Sequence, residues 1–403
     1  MITEKNIQDF LIQNDYDIRK TGNGRWLDQK VTYDVASMIA DCVLDYSHNN
    51  PDKQFSAADI WHTQYASNNI LAIFNKPDIE EKKVENEYDK FFSQPLLFLA
   101  SSKVLNLHKV GSRNFYTVNN KELLEYIASR EYNAFIFMTC YIEKVMRDSG
   151  LWPFFDKFFR LQSKDSYNEL KDVFGDFLRK YTKINGKLEP NRIFTKVVNP
   201  LAVARRKFGT KGGYISKSTI SLSDLQYNQP NFRDVHSKKP KEKSRKDWIL
   251  ELIQDSNNVR TIYQIGKAKS YLHKYNDTYR KGKSELLDAW SIGSATQMHH
   301  IFPAADYPEI SDSIENLIAL TPTQHLTKAH PKNNTQRIDK TYQEILLLTK
   351  LTQIRDNLAG KVGIKIYSFS QFINVLEIGF DHDIEVADGD YEQLENIIKN
   401  FYK

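Results

Sequence analysis

Apolar residues recur at helical spacing over much of this chain, with a few short runs that alternate instead. The first residues, "MITEKNIQDFLIQNDYD", begin with a short amphipathic helix and lead into the turn-rich, basic "RKTGNGRW". In "LDQKVTYDVASMIADCVLDY" the later half places Val35, Ile39, Val43 and Leu44 at helical spacing. "SAADIW" reads as a capped helix start, with Ser56 as N-cap and Asp59 in the first turn. A further helix is expected from Tyr88 to about Ser102. Then "VLNLHKVGSRNFYTV" alternates on both sides of Gly111-Ser112-Arg113, which predicts a hairpin, and "KELLEYIASR" returns to helical spacing. Residues 131–200 read as mostly helical, and aromatics such as those of "LWPFFDKFFRL" are expected in the core.

Helix, helix, hairpin and helix is the order of a winged helix, in which one helix enters the major groove and basic wing residues meet phosphate. Lys109 and Arg113 would be those wing residues. A small α+β domain without nucleic-acid contact fits the same pattern. The expected fold class is α+β, mostly helical. Its parts are a recognition region over 1–130 (winged-helix-like over about 56–130), a helical region over 131–240 ending in a basic linker, and a C-terminal domain over 241–403.

Length and composition agree with several globular domains: 403 residues is more than one core usually serves. The formal net charge of +5 permits a nucleic-acid partner without requiring one, so its distribution matters more. From Arg205 to Lys246 there are twelve Lys or Arg against three Asp or Glu, which marks a boundary near 236–246 and a segment able to track a phosphate backbone. "ARRKFGTKGG" lacks the Walker spacing. The two cysteines, Cys42 and Cys140, lie in apolar helical stretches and form neither a disulfide framework nor a zinc pair. With a polar, acidic N-terminus and no apolar run of about 18 residues, the expectation is a soluble protein of the bacterial cytoplasm.

The chemistry concentrates in "MHHIFP", residues 298–303, and in the stretch from Asn316 to His330. Successive strand residues face opposite sides, so His299 and His300 cannot share one packed face. Downstream, Asn316 opens the apolar strand "NLIAL", Thr321 is the expected N-cap, Pro322 starts a helix, and His325 lies on it. Strand, loop, strand and helix thus carry a histidine pair, an asparagine and a third histidine. Phosphodiester hydrolysis needs such groups: a neutral imidazole to activate water, and a divalent cation to stabilise charge on the phosphoryl group and the leaving oxygen. An asparagine carbonyl could hold the base's ring by accepting its other N–H.

These residues closely resemble the ββα-metal (HNH) nuclease motif, over about 40 residues. The resemblance implies that His300 is the general base, that His299 and His325 are metal ligands, and that Asn316 orients the base or steadies the hairpin. Many members carry aspartate at the His299 position. Some have a further histidine four residues beyond the first helical one, where this chain has Ala329. His330 comes one residue later, rotated by about 100°, and capping the helix end is its other reading. Two protein ligands leave room for water and phosphate, which fits magnesium or another divalent ion better than zinc. Lys328 could reach the scissile phosphate or simply face solvent.

"RWLDQKVTYDVASMIADC", "GSRNFY" and "ENLIALTPTQHLTKAHPKNNT" are similar to type II restriction endonucleases of the HNH class. That resemblance implies a site-specific double-stranded DNA endonuclease, with a cognate DNA methyltransferase as genetic partner and a homodimer as one route to double-strand cleavage. Arg25, Asp28, Gln29 and Lys30 fall at a turn and would either read bases or form an ion-pair network. A second acidic-x-lysine active site at "LDQK" lacks its upstream carboxylate on a neighbouring strand. A less specific defence or homing-type nuclease, or a winged-helix regulator with a silent motif, also fits the sequence.

Overall fold

The computed structural model describes residues 1–74, 76, 79, 84–186, 188–227, 245–329 and 339–403, with side chains of the helix that begins at Arg245 described from residue 258 onward. The chain divides into Met1–Asn257 and Asn258–Lys403. It is of mixed α and β structure and mostly helical, with three two-stranded antiparallel sheets among the described residues. Much of the lysine-rich boundary segment, residues 228–244, lies outside the described residues. Among the described residues, no helix is long and apolar enough to cross a membrane.

The first unit is organised by helix Tyr33–Asn49. Val35, Ile39 and Val43 are fully buried on it, and so are Ala36, Ala40 and Cys42 on its other sides. A helix buried nearly all round needs neighbours on several faces. Helices Glu85–Ser101, Lys121–Ser129 and Glu131–Asp148 provide them. Tyr141 meets Tyr16 and Trp26 edge-on, with ring centres 5.1 and 5.5 Å apart. Ser56 caps Ala57–Trp61, and Asp59 returns a bond to the Ser56 N–H at 2.8 Å, a reciprocal capping box. Strands β1 (Leu105–Val110) and β2 (Arg113–Val118) form the expected hairpin around Gly111-Ser112, with Gly111 at a φ of 61°. Phe55 bridges to Tyr116 on β2. Helices Trp152–Leu161, Lys164–Tyr181 and Leu188–Ala204 complete the unit with a second hairpin, β3 (Phe208–Lys211) and β4 (Tyr214–Thr219).

The second unit has its own core. Helices Lys340–Leu358, Phe369–Phe380 and Tyr391–Phe401 and the later part of Arg245–Arg280 surround strands β5 (Gln297–His300) and β6 (Leu317–Leu320). These strands pair antiparallel, with His299 opposite Ile318 and His300 opposite Leu317. All four residues of β6 are fully buried. The apolar pair after the histidines anchors this hairpin: Ile301 and Phe302 are buried, and a methyl group at Gly379 would sit 2.3 Å from the Phe302 ring. Gly379 therefore lets helix Phe369–Phe380 lie directly on that ring.

Beneath the hairpin, the side chains of Lys350 and Glu285 are fully buried as a 2.7 Å ion pair, its approach off the hydrogen-bond direction. Tyr367 bridges them: its hydroxyl accepts from Lys350 at 3.1 Å and donates to Glu285 at 3.2 Å. Breaking such a pair strands a buried charge. Lys350→Met is expected to cost about 3–5 kcal/mol, read as a lower denaturant midpoint, whereas Lys350→Met with Glu285→Leu recovers most of that loss. A double variant as unstable as the single one would contradict this account.

Candidate functional site

The site is built on the β5–β6 hairpin, the loop joining its strands, and the helix after β6. Thr321 caps that helix by accepting from the Gln324 N–H at 3.2 Å, and Pro322 occupies the first turn, where its missing donor costs nothing. One α-helical turn, Pro322–Gln324, passes into a wider π-helical turn, His325–Ala329. Such turns are rare and occur often at functional positions. Gln324 is fully buried and fixes the turn to the segment before β5. Its amide donates to the Leu286 carbonyl and to Asp288, each at 2.9 Å, and its oxygen accepts from Ser284 at 2.7 Å.

The adjacent histidines serve different contacts. His299 is 5% exposed, and its ring lies 5.1 Å from that of His325, centre to centre, at 77°. Two imidazoles sharing one ion through nitrogen–metal bonds of about 2.0–2.1 Å place their ring centres roughly 5 Å apart. The separation of the His299 and His325 rings is of that size. Among the described residues, no third His, Cys, Asp or Glu completes a group of three with this pair. His330 lies outside the described residues.

His300 faces elsewhere. Its Nε2–H donates to the Ser311 carbonyl at 2.8 Å, which leaves Nδ1 to carry the lone pair. Burial lowers its pKa to about 4, Lys269 adding to the effect and the Ser311 carbonyl opposing it. The imidazole is neutral at pH 7 and can accept a proton.

Asn316 is fully buried, and its side chain is spent on the loop. Its oxygen accepts from the Phe302 N–H at 2.8 Å, and its amide donates to the carbonyls of Phe302 at 2.9 Å and Ile310 at 3.2 Å. Of the two roles that the family resemblance implies, these bonds match steadying the hairpin. The ring of His300 is oriented by Ser311, the residue after Ile310. Sequence reasoning missed Ser311 because a carbonyl common to every residue leaves no signal in residue type.

The other expected site residues are spread over both units. Lys328 is exposed, its ammonium 5.2 Å from the centre of the Trp290 ring. Lys109 and Arg113 are exposed on β1 and β2 beside the turn. Arg25 is paired with Glu189 and lies 3.8 Å from Asp28. Lys30 is paired with Glu87 and donates to the Tyr227 hydroxyl at 2.7 Å, and Lys76 joins both partners. Gln29 is exposed.

No protein-family model, curated protein or solved structure matches this chain.

Asn316→Ala would leave the buried N–H and carbonyl of Phe302 without partners, while the Ile310 carbonyl keeps the Ser313 N–H at 3.2 Å. At about 1–3 kcal/mol for each unsatisfied group, the expected loss is on the order of 3 kcal/mol or more, measured by chemical unfolding. Stability within experimental error of the parent would show that the loop does not depend on this amide.

Proposed function

We propose that this protein is a metal-dependent, site-specific double-stranded DNA endonuclease of the restriction type. The observation that carries the reading is the division between two neighbouring histidines. His299 is gathered with His325, while His300 is kept neutral by burial and in one tautomer by a backbone carbonyl.

In this reading, His300 Nδ1 takes a proton from the attacking water as its oxygen bonds to phosphorus. The bond to the 3′ oxygen breaks, and the leaving oxygen takes a proton from solvent water, giving a 3′ hydroxyl and a 5′ phosphate. A basic group with so low a pKa is a weak acceptor, but the approaching phosphate anion favours the imidazolium and raises it. His299 and His325 would hold the divalent ion, which supplies Lewis acidity at the phosphoryl oxygens. Nitrogen donors bind manganese, cobalt or nickel more tightly than magnesium, whereas the sites left to water and phosphate suit magnesium. The ion used is Mg2+ or another divalent metal.

Sequence specificity would come from the first unit, with Lys109 and Arg113 at the hairpin touching phosphate as a wing does. Gln29 is the exposed candidate for a base edge, and Arg25 and Lys30 would have to leave their ion pairs to reach DNA. Lys328, beside His325 in sequence and over Trp290, would touch the backbone near the cut. Double-strand cleavage would require a homodimer or two successive binding events, and a cognate methyltransferase would protect the host's own sites.

Long unmethylated phage DNA incubated with protein and Mg2+, Mn2+, Co2+ or Ni2+ is expected to give discrete fragments on a gel. His300→Ala should lower the cleavage rate by about 10²–10⁴-fold, the usual worth of a general base. A smear would point to a nuclease without site preference. Intact DNA in every metal would overturn the assignment of an active nuclease.

A further inference from the structure

Between the turn at Leu27–Gln29 and helix Leu188–Ala204 lies a half-open cavity of about 250 Å³. Arg192, Thr195 and Lys196 line it from the helix, with Arg192 and Lys196 one turn apart on the same face. Glu189 lines it from the first turn of the same helix, and Asp28 and Gln29 from the other side.

The charges here are unequally satisfied. Both acids are occupied by Arg25, which is paired with Glu189 and lies 3.8 Å from Asp28. Among the described residues, neither Arg192 nor Lys196 has a hydrogen-bond or ion-pair partner. Lys196 is partly exposed and lines the cavity. Burial lowers its pKa to about 8, with Lys30 acting in the same direction and Asp34 and Asp28 opposing. Two cationic side chains one turn apart, unpaired and on the wall of one cavity, leave a place for an anion.

We propose that this cavity is a phosphate-binding site, in which the Arg192 guanidinium and the Lys196 ammonium grip the anion and Thr195 and Gln29 add neutral hydrogen bonds. A planar fork beside a point charge suits the several oxygens of a tetrahedral anion. The cavity is several times larger than a phosphate group, so the anion carries an organic remainder or belongs to a longer chain. Asp28 on the turn and Glu189 at the start of the helix would accept from hydroxyl or amino groups of that remainder. The phosphate belongs either to a free phosphorylated small molecule or to a nucleic-acid backbone. None of these residues takes part in the histidine site, and only Gln29, the candidate for a base edge, is shared with the nuclease reading.

Pyridoxal 5′-phosphate tests it directly on the intact protein. The amine adds to the aldehyde carbon, water leaves, and borohydride reduces the imine to a stable secondary amine that peptide mass spectrometry locates. At pH 7.5 roughly a quarter of a lysine with a pKa near 8 is free amine, against roughly a thousandth of an ordinary one. Lys196 should therefore be labelled at least about tenfold faster than any other lysine. Saturating inorganic phosphate should slow that labelling about tenfold, the effect of occupancy near nine-tenths. In Arg192→Gln, an exposed position that the fold tolerates, Lys196 should still react while phosphate no longer protects. Protection by deoxyadenosine monophosphate but not by a short DNA duplex would identify the small-molecule source; protection by the duplex would identify the backbone. Labelling of Lys196 no faster than elsewhere, or equal labelling with and without phosphate, would overturn the proposal.

Discussion

The second unit's site depends on one buried amide. Asn316 ties both ends of the loop between β5 and β6 through Phe302 and Ile310, and its own carbonyl accepts from Ile301 at 2.9 Å. With Asn316 in place, Phe302 seats over Gly379 and Ser311 is carried to His300. Without it, the N–H and carbonyl of Phe302 would lack partners in an apolar core, and the Ile310 carbonyl would keep only the Ser313 N–H. The chemistry assigned to His300 thus rests on an asparagine that does not touch it.

The alternation of a β-strand then becomes useful. Neighbouring histidines must point to opposite sides, and here each side offers a different environment. One faces the π-helical turn and His325; the other faces a loop carbonyl that fixes a tautomer. The turn is itself held by Gln324, whose bonds to Leu286, Asp288 and Ser284 tie the histidine-bearing helix to the segment before β5. The 5.1 Å separation of the His299 and His325 rings thus joins β5 to a turn that Gln324 ties to residues 284–288.

Local features were the most legible in the sequence. Val35, Ile39 and Val43 mark a buried helix, Ser56 with Asp59 a cap, Gly111 a hairpin turn, and Thr321-Pro322 a helix start, because each depends on residues a few positions apart. The gathering of His299 with His325 was expected from the family pattern. Three features were hidden. Ser311 acts through its carbonyl, so residue type carries no trace of it. The π-helical turn reflects how Gln324 and its partners anchor the chain, which helical periodicity does not record. The cavity at Lys196 joins a turn near the N-terminus to a helix far along the chain, and only folding brings Arg192, Lys196 and Gln29 together.

The central claim is that the two adjacent histidines divide the work, one for metal and one for proton transfer. Titration of Mn2+ into the intact protein, followed by electron paramagnetic resonance of the free ion, tests it without relying on cleavage. His299→Ala and His325→Ala are expected to weaken binding by at least about 10–100-fold, the range lost even when an outer partner is removed, while His300→Ala binds as the parent does. Equal weakening in all three variants, or no binding by the parent protein, would contradict the division.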